Sequence, residues 1–254
     1  MSRRLADRGE FIEAADLVAQ ALAIIDERGL KNGAVRRGVI FDLAAYRWLT
    51  GESVGVRELV RNEAEALGPG QKRIGLWVLL AAMAAAHDDG SAGDDKIRAM
   101  TEIESAGNPA VSALHRVRQM LQRDDKWGAL RVAATALASA GDDPDLRVRA
   151  LLASALAHAA GDRELATKAL RDADKLLGPG FSLLRLHLEL LLARVTGSRV
   201  RDEYRHLFKQ VPYETLRVLG GDGREYFDIY RDLLDAEGVM LAIDAFGRGE
   251  LVVD

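Results

Sequence analysis

The sequence predicts an all-α protein built as an array of helical hairpins. Three observations carry that reading. Glycine-marked turns recur at a nearly constant spacing, and the segments between them carry apolar residues at intervals of three and four. The composition also favours helix: Ala and Leu dominate, Pro is limited to 5 residues and aromatics to 6%. Ala and Leu lose little freedom on entering a helix, whereas β-branched and aromatic residues, which suit strands, lose more.

The turns come first. One set is marked by Gly29, Gly68, Gly107, Gly141 and Gly178, spaced 39, 39, 34 and 37 residues apart. A second set falls between them, at Gly9, Gly51, the Asp88–Asp95 loop, Arg123-Asp124, Gly161 and Gly197. Each interval leaves room for three or four helical turns, which is the layout of a helix–turn–helix array. Leu67-Gly-Pro-Gly70 returns as Leu177-Gly-Pro-Gly180, 110 residues later, an offset that three repeats of about 37 residues account for. Glycine can close a helix in the left-handed region, and a proline after it cannot continue one.

The segments agree with the punctuation. Across 11–28, Ala14, Val18, Ala21, Leu22 and Ile25 fall on one helical stripe. Across 163–177, Leu165, Ala166, Ala169, Leu170, Ala173, Leu176 and Leu177 do the same, with Arg171, Asp174 and Lys175 opposite. Neither stretch alternates with the period of two that a strand needs. A stripe that one helix cannot bury alone requires neighbours to stack on it.

Within this frame Gly9-Glu-Phe-Ile-Glu-Ala-Ala15, ending in Ala21-Leu22, resembles the turn and second helix of a tetratricopeptide repeat. Asp125-Lys-Trp-Gly-Ala129 with Ala136-Leu137 is similar, as is Gly161-Asp162 with Ala166 and Ala173. Leu43-Ala-Ala-Tyr46 before Gly51 resembles the large–small packing pair of a first helix. The resemblance spans residues 1 to about 210. It departs from the family at Gly55 and Val56, in the long acidic third turn, and at most of the family's Trp, Tyr and Pro positions. What it implies is a right-handed α-solenoid of about five and a half hairpins, with the chain starting almost inside a repeat.

Two regions follow, 1–210 as the repeat array and 211–254 as a helical cap and tail. Pro212 to Leu219 suits a short helix, and Gly220 to Gly223 ends it. Arg224 to Asp235 then places Tyr226, Phe227, Tyr230, Leu233 and Leu234 on one helical side. That stripe either covers the exposed core of the last repeat or docks on another chain, a second copy included.

Several chemistries are excluded or unsupported. The chain has no cysteine, so disulfides, thiolate metal sites and a cysteine nucleophile are impossible. No G-x-x-x-x-G-K-[ST] loop is present. The five histidines lack metal-ligand spacing, and His87-Asp88-Asp89 lacks the ordered oxygens of a calcium loop. Nothing marks a catalytic nucleophile, and no cofactor is implied. A net charge of −4 provides no long-range attraction for nucleic acid, and the basic run of Arg194, Arg199, Arg201, Arg205, His206 and Lys209, interrupted by Asp202 and Glu203, reads as a solvated face. The most apolar stretches, 76–86 and 183–193, fall short of the ~20 residues that cross a bilayer. No signal-peptide core follows Met1, so a soluble cytoplasmic protein is expected.

The expected function is binding. In tetratricopeptide arrays the first helix of each hairpin lines a concave groove, and the resemblance carries that face onto Phe41, Trp48, Trp77, His87, Arg118, Gln122, His158, His187 and Arg194. Such a groove is aromatic at one end and rich in Arg and His at the other, suiting a protein or peptide with an apolar anchor and an acidic end. Phe41, Trp48 and Trp77 either contact that ligand or pack between helices. The leading expectation is a non-catalytic interaction scaffold; the alternative is the sensory or partner-binding portion of a bacterial signalling or transcription regulator.

Overall fold

The computed structural model describes residues 1–30, 33–68, 71–87, 98, 101–102, 109–159, 161–178, 180, 182–212 and 215–216. Among them the chain is helical, with no strand. In order come α1 (Ser2–Ala6), α2 (Phe11–Glu27), α3 (Ala34–Leu49), α4 (Val54–Ala66), α5 (Gln71–His87), α6 (Pro109–Gln122), α7 (Lys126–Ser139), α8 (Pro144–His158), α9 (Arg163–Leu176), α10 (Leu183–Thr196) and α11 (Asp202–Arg205), followed by a 3-10 turn, His206–Phe208. Every glycine turn expected from the sequence falls between two of these helices where its residues are described. Gly107, the Asp88–Asp95 loop and the aromatic stripe from Tyr226 to Leu234 lie outside the described residues.

Local chemistry explains the helix starts. Asp125 accepts from the Gly128 amide at 2.8 Å, and Asp162 accepts from the Leu165 amide at 2.9 Å. Asp143 accepts from Asp145 and Leu146 at 2.9 and 3.2 Å, ahead of Pro144 in the first turn of α8. Each carboxylate satisfies amides that the helix itself leaves without partners. Asp125 and Asp162, two of the turn residues that carry the resemblance, are therefore also caps.

Consecutive helices pack on one another from α1 to α5 and from α6 to α10, and alternate helices also meet: α3 on α5, α6 on α8, α8 on α10. In α2 the buried set is Phe11, Ala14, Ala15, Val18 and Leu22. Ala21, expected on that stripe, is exposed instead, so the buried face is turned slightly toward Phe11 and Ala15. Arginines of first helices tie neighbours together. Arg36 of α3 reaches Asp26 of α2 at 2.7 Å and Glu63 of α4 at 2.8 Å, while Arg47 reaches Asp16 at 2.8 Å and also pairs with Glu52.

Two hydrophobic cores result. One joins α1 to α5, and the other joins α6 to α9. Helix α10 belongs to both. Leu186, Leu190 and Ala193 lie in the first core, and Leu184, Leu188, Leu191 and Val195 in the second. A helix with apolar residues on opposite faces is one that packs on both of them. The cover expected for the last hairpin was a cap beyond residue 210; among the described residues, the other face of α10 lies in the core of the first hairpins.

Residues 200–212, with Thr215 and Leu216, return to the first hairpins as well. Val200, Leu207, Phe208, Val211 and Leu216 are all buried in the core of α1–α5. His206 Nε2 donates to the Asp7 carbonyl at 2.8 Å, the Ile12 amide donates to Gln210 Oε1 at 2.9 Å, and Thr215 Oγ1 donates to the Trp48 carbonyl at 3.0 Å. The packed segment runs continuously through the boundary that the sequence places at residue 210.

Candidate binding face and a buried ion cluster

The residues expected to line a groove separate into two groups. Trp48 and Trp77 are 4% and 0% exposed and belong to the first core, with Phe41 partly buried against it. Burial supports packing between helices, one of the two roles the sequence allowed them. Arg98 lies over the Trp77 ring, 4.5 Å from its centroid. Arg118, His158, His187 and Arg194 are all partly exposed. The side chains of His87 and Gln122 lie outside the described residues.

The second group sits on α6, α8 and α10. Helix α8 packs against both α6 and α10. Arg118 of α6 reaches His187 of α10, with Nη2 3.4 Å from Nδ1. A guanidinium can only donate, so the contact uses the Nδ1 lone pair of His187. These two residues are 69 apart in sequence. His158 and Arg194 lie in the last turns of α8 and α10, where a basic group also meets the negative end of the helix dipole. Arg118 and His187 are thus brought into contact, while His158 lies at the end of α8 and Arg194 at the end of α10, the helix that carries His187.

The structure also assembles a cluster that the sequence did not single out. Arg185 and Glu189, one helical turn apart on α10, are 2% and 1% exposed. Arg201 donates to Glu189 from Nε at 3.0 Å and from Nη2 at 2.5 Å. It also reaches Asp174 of α9 from Nη1 at 2.8 Å and Nη2 at 3.1 Å. Arg185 bonds Asp174 and donates to the carbonyls of Leu177 and Gly178 at 2.8 and 3.4 Å. Both guanidinium groups lie against the Tyr204 ring, 4.6 and 4.9 Å from its centroid.

In the buried part of the cluster two cations balance two carboxylates, the condition for holding charge away from water, while the exposed Glu203 lies 3.6 Å from Arg201 at its edge. Hydrogen bonding to Glu189, opposed by burial, keeps the Arg201 guanidinium more firmly protonated than usual. Burial acts to raise the Asp174 carboxyl, but the bonds from Arg201 and Arg185 outweigh it and hold Asp174 below its ordinary range. A signal existed in the sequence: an Arg and a Glu four apart in Leu183-Leu-Arg-Leu-His-Leu-Glu-Leu-Leu-Leu192 are charges that a buried helix must pair. Arg201, read as part of a solvated basic face, is one of those partners.

A cleft of 620 Å3 opens between the ends of α7 and α9 and the first half of α8, lined by Leu137, Leu151 and Leu176 with Asp142, Arg147, Asp172 and Lys175 on its rim. Lys175 and Asp172 pair there at 2.8 Å. Among the described residues, no group of three or more His, Asp and Glu is placed to hold a metal ion. No helix among them is long and apolar enough to cross a membrane.

A scan against protein-family models, a search of curated proteins and a search of solved structures each found no match to this chain.

Proposed function

We propose that this chain is a non-catalytic interaction scaffold, a tetratricopeptide-like right-handed array of hairpins over residues 1–210 that holds a protein or peptide partner. The observation that carries the reading is the side-by-side packing of α6, α8 and α10, which brings Arg118 to within 3.4 Å of His187. Alternate-helix packing is what a stacked-hairpin array uses to make a continuous surface. The binding face is the cationic end of the groove expected from sequence: Arg118, Gln122, His158, His187 and Arg194. The partner presents an acidic segment to it. Because the helices are already packed, binding orders little of the scaffold, so less of the interaction energy goes into fixing it. Trp48 and Trp77 serve as packing residues of the scaffold rather than ligand contacts.

The test is an Arg118→Glu plus Arg194→Glu variant. Its circular dichroism and melting temperature should match those of the unmodified chain, since both side chains are partly exposed. In parallel affinity captures, proteins retained by the unmodified chain should be lost from the folded variant. Equal retention by both would remove this face from consideration.

A further inference from the structure

Residues 198–212, with Thr215 and Leu216, form a strip whose order comes from what it lies on. Its described residues hold one four-residue helix, a 3-10 turn and two helical residues at Thr215 and Leu216, too little internal hydrogen bonding to hold a conformation alone. Five of its apolar side chains, Val200, Leu207, Phe208, Val211 and Leu216, are at most 3% exposed, and all face the core of the first hairpins. Residues 196–199, leading into it, are exposed, and Gly197 is left-handed with φ of 66°.

The seat is built from two hairpin turns. Gly9, between α1 and α2, has φ of 76°, and a Cβ there would stand 2.1 Å from the His206 carbonyl oxygen. Gly51, between α3 and α4, has φ of 76° as well, and a Cβ there would stand 3.2 Å from Cγ of Pro212. Two glycines that punctuate the hairpins are therefore also the places where the strip comes closest. His206, Gln210 and Thr215 add hydrogen bonds to Asp7, Ile12 and Trp48. At its start the strip is fastened by Arg201 to Asp174 and Glu189.

We infer that this strip is a clasp: it ties the segment after α10 to the first two hairpins and opens as one unit about residues 197–199, baring an apolar seat on those hairpins that accepts the same segment supplied from outside. Opening removes one layer and leaves the core of α6–α9 intact, because none of the clasp's buried apolar residues belongs to that core. A short unit held by one face opens more often than the helices beneath it. The inference stands apart from the choice of partner-binding face, since none of Arg118, His158, His187 and Arg194 contributes to the seat.

Hydrogen exchange by mass spectrometry on the full chain tests the opening directly. Amides of 200–212 should exchange at least about tenfold faster than core amides of α8 and α10, together rather than one by one. A labelled synthetic peptide of residues 199–216 tests the seat. It should bind the Arg201→Met chain, whose own clasp is unfastened, more tightly than the unmodified chain. Gly9→Ala, which puts a methyl group into the path of the clasp backbone, should abolish peptide binding while leaving protection of α6–α9 unchanged. Clasp amides that exchange at the same rate as those of α8 and α10 in the unmodified chain would overturn the inference. So would an Arg201→Met chain that remains folded and fails to bind the peptide.

Discussion

Replacing Arg201 with Met removes two hydrogen bonds from Glu189 and two from Asp174 while keeping most of the side-chain volume. Glu189 is then left fully buried with only Arg185, whose Nη1 is 3.5 Å away. The cluster changes from balanced to one excess negative charge. Removing one partner of a buried pair costs about 3–5 kcal/mol, because the remaining charge stays out of water. Arg201 is itself 31% exposed, which lets water replace part of the loss, so about 2–3 kcal/mol is expected. A second change discriminates the cause. With Glu189→Leu added, Arg185 and Asp174 still pair, Arg185 keeps the carbonyls of Leu177 and Gly178, and the cluster is neutral again. The double variant should recover most of the stability, giving a coupling of about 2 kcal/mol of opposite sign to the single losses. Urea unfolding followed by circular dichroism at pH 7 measures all four chains. Losses that simply add, or an Arg201→Met cost below the roughly 1 kcal/mol of a surface pair, would show that buried charge balance is not what the cluster provides.

Further outcomes follow from the same geometry. Burial, reinforced by Asp42, pushes the Tyr46 phenol up to about 12, from an ordinary value of 10.0. The folded state then keeps a proton that the unfolded chain releases, so stability is intact below pH 10 and falls by about 2–3 kcal/mol as pH rises to about 12; Tyr46→Phe should flatten that fall in melts between pH 9 and 12, and an unchanged slope would contradict it. Arg149 on α8 is partly buried, and desolvation lowers its pKa against the opposing attraction of Asp145 and Asp143. Arg149→Leu should therefore raise the urea midpoint, by about 1 kcal/mol in stability, and a lowered midpoint would mean the guanidinium is favourably held. Asp174 lies below its ordinary carboxyl range, so its contribution is present above pH ~4 and is lost as pH falls through its folded value; acid melts of Asp174→Asn should show less dependence on pH in that range than the unmodified chain.

Helices and turns were legible because their signals are local. Glycine, proline and capping aspartates act within a few residues, and an amphipathic stripe such as Ala166, Ala169, Leu170 and Ala173 declares its own buried side. Helix α10 was legible as a helix but not as the element shared by two cores, since leucines spread over several of its faces name no single partner. The clasp left no periodic trace: its contacts join residues nearly 200 apart, such as Ile12 with Gln210, and Gly9 and Gly51 read as turn residues whether or not another segment lies on them. At the candidate face, a register carried over by resemblance selected exposed and buried positions alike. It could not separate Trp77, which fills the core, from Arg118, which reaches His187, because that difference is decided by how far neighbouring helices close over the face.

The claim on which the rest depends is that the two ends of the hairpin array are joined. A distance between spin labels at Glu13→Cys and Lys209→Cys tests it most directly, in a chain that has no other cysteine. Gln210 lies 3.4 Å from Glu13, so a single short distance is expected, little longer than the labels themselves. Five hairpins stacked in an open array, at about 8–10 Å between helix axes, would instead set the two sites about 40 Å apart, and a distribution centred there would contradict the account.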